Sequence, residues 1–330
     1  MVCQQSLNCE EEIMKTLEFT DGDQLPIVGL GTWKSTSDEV YEVVKEALRL
    51  GYRHIDCAAI YGNEPGVGRA LTDSFNAGVV KREELWITSK LWNNAHAPED
   101  VQPTLEKTLS DLNLEYLDLY LMHWPIAYKK NVQYHSSADD FIPIEELPIS
   151  DTWEALEKTV ARGLCRHIGV SNFSIKKLEA LLQTAHIKPE MNQLELHPYL
   201  QQPAMLKFCQ EHSIYLTGYA PLGSSDRPDR LKVDNEPILL ADPVIEKIAG
   251  RNGITPAQVL LSWAVHRGTS VIPKSVKQER LKENLEAAQL SLSGQDLTEI
   301  AALDRHRRYI SGTFWAIEGG PYTLENIWDE

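Results

Sequence analysis

The chain has 330 residues, 42% hydrophobic and 24% charged, enough to bury a large core as two modest domains or as one big α/β unit. A formal net charge of −16 argues against nucleic acid or an anionic membrane surface as the main partner. No apolar run approaches the roughly 18 residues needed to span a bilayer, and the start MVCQQSLNCEEEIMK has neither a basic nor an apolar stretch, so no secretory signal is expected. The cysteines (Cys3, Cys9, Cys57, Cys165 and Cys209) are odd in number and lack CxxC or Cys/His zinc spacing. A reduced, cytoplasmic protein is expected.

Residues 1–15 read as a flexible tail. The segment TLEFTDGDQLPIVGLGTW then reads as two short strands turning at Asp21-Gly22-Asp23, a β-hairpin signal. From there strands and amphipathic helices alternate. DEVYEVVKEALRLG places Val40, Val43, Val44, Ala47 and Leu48 on one helical face. Strand HIDCAA, a helix through Leu71, strand LWITSKL, a helix over 101–113 and strand LDLYLMHW follow. TWEALEKTVARG, IKKLEALLQTA, PAMLKFCQEHS, TPAQVLLSWAVHRG and QERLKENLEAA are helical patterns; HIGVSNF, MNQLELHP, YLTGYAPL and SVIPKS are strands between them.

Counted from VGLGTW, this makes eight β/α units with no linker between halves. Such alternation means a parallel sheet, and eight units predict one closed (β/α)8 TIM barrel as a single domain over 1–330. Two further helices, DPVIEKIAGRN and GQDLTEIAALD, fall outside the count. Irregular stretches near 125–150 and 223–241 follow strands four and seven, on the C-terminal face where such barrels place their sites. A third, 305–330, ends the chain.

Side chains alternate along a strand, and Asp56, Lys90 and His123 lie at the ends of strands two, three and four, with parity that can point each inward. Tyr61, just past strand two, can lean over the same spot. A buried Asp–Lys pair with a satisfied core histidine is the bland account. Four titratable groups meeting on the functional face point instead to chemistry. Proton donation to a carbonyl oxygen suits them: the ammonium lowers the tyrosine pKa, Asp56 holds Lys90 charged, and His123 hydrogen-bonds the oxygen.

These residues lie in GLGTWKS, GYRHIDCAAIYGNE, ITSKLW, LMHWP, GVSNF, NQLELHP, GYAPLGS and IPKS, and together the motifs resemble the aldo-keto reductases of the aldose/aldehyde reductase type. The resemblance covers about Lys15 to Asp304. It implies a tetrad of Asp56, Tyr61, Lys90 and His123, and reduction of a small-molecule aldehyde or ketone by hydride from NADPH, by a monomer.

No dinucleotide fingerprint is present, since GLGTWK lacks the third glycine and GNEPGVG has the wrong spacing, so a nicotinamide must bind the barrel itself. Ser171, Asn172 and Gln193 offer groups for its carboxamide. The resemblance implies stacking on Tyr219, pyrophosphate passing Pro221, Leu222, Gly223 and Ser224, and contacts from Thr32, Trp33 and Asp56. Ala220 stands where many relatives have Ser. In IPKSVKQERLKEN the resemblance puts Lys274, Ser275 and Arg280 at the adenosine 2′-phosphate, with Val276 also at the cofactor and Glu283 and Asn284 at adenine. Trp33, Trp92 and Trp124 follow strands one, three and four and, with His123, would line the substrate mouth; Trp315 is a further candidate from the C-terminal tail, 305–330. Two rivals remain: a metal-dependent barrel hydrolase or aldolase using His123, Glu195 and His197 as ligands, and a non-catalytic binding relative.

Overall fold

The structure, a computed structural model, describes residues 15–330. The expected tail, with Cys3 and Cys9, lies outside them. Strands β1 (Thr16–Glu18) and β2 (Gln24–Pro26) pair as the expected antiparallel hairpin. The barrel strands are β3 (Leu30–Gly31), β4 (His54–Asp56), β5 (Trp86–Leu91) and β6 (Leu117–Met122), then β9 (Cys165–Ser171), β10 (Met191–Glu195), β11 (Tyr215–Tyr219) and β12 (Ser270–Val271). Each pairs in parallel with the next, and a parallel bridge from Val28 to Val271 closes the ring. Closure is tight. A side chain at Gly31 would put its Cβ 2.7 Å from the carbonyl oxygen of Ile272, and Gly29 and Gly31 donate to the Val271 and Pro273 carbonyls, so the glycines of GLG sit at the barrel closure.

Around the sheet run α1 (Ser37–Arg49), α2 (Glu64–Asn76), α3 (Pro98–Leu112), α4 (Ile149–Ala161), α5 (Ile175–Leu182) and α6 (Pro203–Glu211), followed by α7 (Pro243–Asn252), α8 (Pro256–His266), α9 (Gln278–Glu286) and α10 (Gly294–Ala301). Helix α1 buries the face read from the sequence, and its Thr36 cap accepts the Glu39 N–H at 3.2 Å. The glycine-rich GNEPGVG segment opens α2. A Cβ on Gly66 would lie 2.1 Å from the Ser37 carbonyl oxygen, so the helix packs close to the start of α1.

Three expectations need correction. Strand SVIPKS shrinks to two residues, because Pro273 has no N–H for the ladder. Helix α2 runs on to Asn76, past the expected end at Leu71. The irregular stretches also hold regular pieces: β7 (Ala127–Tyr128) pairs with β8 (Phe141–Ile142), and the tail ends in α11 (Leu324–Trp328).

The apolar interior divides in two. The larger cluster fills the barrel and the layer beneath the helices. The smaller lies over the C-terminal face and joins Trp92, Trp124, Tyr128 and Phe141 to Ile310, Trp315, Tyr322 and Trp328 of the tail.

Candidate active site

Neighbouring strands deliver the four predicted residues to one place. Asp56 ends β4, Lys90 lies on β5 and His123 follows β6. Tyr61 closes a single 3-10 turn, Ala59–Tyr61, which Gly62 terminates at φ 69°. The Lys90 Nζ, wholly buried, donates to Asp56 Oδ1 at 2.5 Å and to the Cys57 carbonyl at 2.8 Å. It sits 5.3 Å from the centroid of the Tyr61 ring, and the Tyr61 and His123 rings meet edge-on at 6.0 Å. The second oxygen of Asp56 accepts the Gln193 amide N–H at 2.7 Å.

The electrostatics differ from expectation in one respect. Burial pushes the Tyr61 phenol up to about 12, and the nearby Lys90 ammonium only opposes that rise instead of bringing the phenol below its ordinary value. Tyr61 is therefore a protonated group at neutral pH. Burial pulls Lys90 down, but Asp56 and Tyr61 outweigh it and the ammonium is held above its usual range. Burial, then Lys90, then His96 keep His123 far below 6.5, hence neutral. Its Nδ1 is enclosed without a hydrogen-bond partner, which leaves Nε2 as the nitrogen that faces the opening.

Asp56, Tyr61 and His123 floor a cavity of about 750 Å³, and Lys90 lies buried behind them. On one side stand Ser171, Asn172, Gln193 and Tyr219, as expected. They are already knitted together: Tyr219 donates to Asn172 Oδ1 at 2.7 Å, Asn172 Nδ2 donates to the His123 carbonyl at 2.9 Å, and Ser171 donates to the Gln193 carbonyl at 2.7 Å. One Gln193 N–H is committed to Asp56, which leaves its second N–H and its amide oxygen for another partner. Asn172 is held at φ 63° and Ala220 at φ 48°, left-handed conformations that non-glycine residues adopt at a cost.

Trp33, Thr32, Pro221, Leu222, Ser224, Lys274 and Arg280 also line the cavity. Gly223 packs away from it, against Leu239 and Tyr309. Asn284 is buried, the Ser275 hydroxyl accepts the Lys277 N–H at 3.2 Å, and Val276 is largely exposed; these three and Glu283 do not reach the cavity wall. Lys274 and Arg280 have no salt-bridge partner among the described residues, although the chain is strongly acidic. Two unpaired cations beside an opening suit a phosphate dianion, so the residues present fit a phosphorylated dinucleotide.

The other walls are aromatic. Trp92, Trp124 and Trp315 join Tyr128, His135 and Phe314, with Ile60, Leu231 and Ile310 between them. Sequence reasoning missed Tyr128, His135 and Phe314. Lys34 and Asp226, which bond at 2.6 Å on the cavity's rim, were missed too. No local signal marks that pair, since 192 residues separate its members.

The metal-ligand trio does not form. Glu195 accepts the N–H groups of Tyr309 and Ile310 at 2.6 and 2.8 Å and bonds His197 Nε2 at 2.7 Å, so its carboxylate is spent. Asp21, Asp23 and His167 do bring ligand atoms within 4.8 Å, but there His167 already bonds Glu190 and Asp23, and Arg166 also holds Asp23.

Comparison with known proteins shows what the chain is similar to. The sequence profile of the Aldo/keto reductase family matches residues 27–305. An aldo/keto reductase of Synechocystis sp. is 56% identical over 317 residues, covering 96% of this chain and 97% of that protein. Aldo-keto reductase family 1 member A1 of Bos taurus is 47% identical over 291 residues, 88% of this chain and 89% of the relative. The solved aldose reductase of Schistosoma japonicum superposes with a TM-score of 0.82 at 37% identity, covering 91% of this chain and 97% of that one. The chain belongs to the aldo/keto reductase family and is an oxidoreductase acting on carbonyl groups.

Proposed function

We propose that the protein is an NADPH-dependent reductase of small aldehydes and ketones, with Tyr61 as proton donor. The observation that carries this reading is a protonated phenol at the floor of an aromatic cavity, beside an ammonium buried on a carboxylate and a neutral imidazole. NADPH, when bound, supplies the hydride to the carbonyl carbon.

The residues of the chain do the rest. His123 Nε2–H donates to the carbonyl oxygen and orients it over Tyr61. As charge develops on that oxygen, the Tyr61 hydroxyl releases its proton to it, and the product is the alcohol. Lys90 stabilises the phenolate left behind, and Asp56 keeps Lys90 charged and aimed. The cofactor would be held by Lys274 and Arg280 at its 2′-phosphate and would lie along Tyr219, Ser171 and Asn172. One barrel domain carries both halves of the site, and the enzyme works as a cytoplasmic monomer; its described cysteines, Cys57, Cys165 and Cys209, are all free and buried.

Tyr61→Phe tests the reading. It removes the acid while leaving shape and the 2′-phosphate site intact, so kcat should fall by about 10²–10⁴-fold. NADPH affinity should stay near wild type. A phenylalanine variant with near-normal kcat would transfer the donor role to another group, His123 first.

A further inference from the structure

The tail must be held somewhere if its side chains are to shape the pocket. Its far end is fixed on α5, where Asp329 accepts from Ser174 and Lys177, both at 2.5 Å. Its near end is fixed at Glu195. Strand alternation puts Glu195 on the same face of β10 as Gln193, one step nearer the barrel mouth. There the carboxylate, 1% exposed, takes three donors: the backbone N–H of Tyr309, the backbone N–H of Ile310, and His197. A charge so deeply buried persists only where such donors surround it. Immediately downstream, Ile310, Phe314 and Trp315 form one wall of the cavity, with the Trp315 ring 5.3 Å from Trp124 and 5.9 Å from Trp92.

We propose that Glu195 is a positioning residue for substrate specificity: its carboxylate clamps the backbone at 309–310 and so sets where the Trp315 wall stands over the pocket. The proposal deepens the reductase reading and rests on it. Glu195 lines neither the cavity nor the phosphate site, and it meets Tyr219 through the paired backbones of β10 and β11, which Glu195→Gln leaves in place. Its effect therefore falls on carbonyl compounds large enough to reach the tail wall, and leaves small ones alone.

Glu195→Gln is the direct probe, because an amide keeps the shape but turns an NH2 towards donors that need an acceptor. With benzaldehyde KM should rise about tenfold or more while kcat changes little, the signature of lost uniform binding. With propanal both constants should stay near wild type, as should NADPH affinity. Hydrogen exchange should quicken in residues 309–329 and not in β4 to β6. Trp315→Ala should reproduce the selective loss, and Glu195→Gln added to it should cost little more, since both act through one wall. If Glu195→Gln does not fold, Asp329→Ala releases the same segment from its far end and must show the same split between substrates. Equal losses for both aldehydes, additive losses in the double variant, or unchanged exchange at 309–329 would overturn the proposal. A wild-type protein that reduces neither aldehyde would refute the reductase reading instead, and exchange would still decide the clamp.

Discussion

Replacing Lys90 with methionine separates two roles of one side chain. The residue is wholly buried, 2.5 Å from Asp56, and methionine matches its stem but not its charge. Removal leaves the Asp56 carboxylate, 1% exposed, with the Gln193 N–H at 2.7 Å as its side-chain donor. Breaking a buried pair from one side costs about 3–5 kcal/mol, which for a chain of this size lowers Tm by roughly 4–7 °C. Catalysis suffers for a different reason. Lys90 is the chief group opposing the burial that holds Tyr61 at about 12, so without it the phenol becomes a still weaker acid. The drop in kcat should approach the full value of general acid catalysis, about 10²–10⁴-fold. Calorimetry and NADPH oxidation read the two effects separately. Adding Asp56→Asn should then recover part of the lost Tm, because the unpaired charge is gone, and none of the lost kcat. A double variant less stable than Lys90→Met alone would show that the stability cost does not come from an orphaned carboxylate, and the electrostatic account would fail.

Arg280→Ala should weaken NADPH by about tenfold or more and hardly affect NADH, since a charge-assisted phosphate contact is worth roughly 1.5–3 kcal/mol; equal losses in a binding titration would remove the 2′-phosphate assignment. Glu64 is pushed by burial from 4.5 to about 7, so its neutral form stabilises the fold fully below pH 4.5 and that contribution is lost as pH rises through 7. The Tm difference between wild type and Glu64→Gln should accordingly shift in favour of the variant from about pH 5 to pH 8, by the equivalent of about 3 kcal/mol; a constant difference would contradict the shift. The aromatic walls should favour benzaldehyde over an open-chain hexose in kcat/KM, and the reverse order would show that polar contacts govern the pocket.

The tetrad was legible because its members obey rules local to each strand. Parity pointed Asp56, Lys90 and His123 inward, and the order of β/α units made their strands neighbours. What escaped was set by distance along the chain or by burial. Lys34 and Asp226 meet only because the loop after β11 folds back across the barrel mouth. Tyr128 and His135 reach the pocket through a hairpin too short for any periodicity to announce. The direction of the Tyr61 shift depends on how completely water is excluded around the phenol, which no spacing encodes. Glu195 and His197 looked like ligands because a carboxylate and an imidazole share a strand face. In the fold His197 bonds Glu195 itself, and the other partners of Glu195 are a pair of backbone N–H groups over a hundred residues away.

The division of the interior into two clusters gives the molecule two largely separate reservoirs of stability. Substitutions among Phe314, Trp315 and Trp328 draw on the small reservoir over the mouth, while the ring of strands that aligns Asp56, Lys90 and His123 draws on the large one. Local opening of the tail therefore needs less free energy than global unfolding. New pockets can be tried on this scaffold, in nature or at the bench, while Asp56, Lys90 and His123 stay in register beneath them.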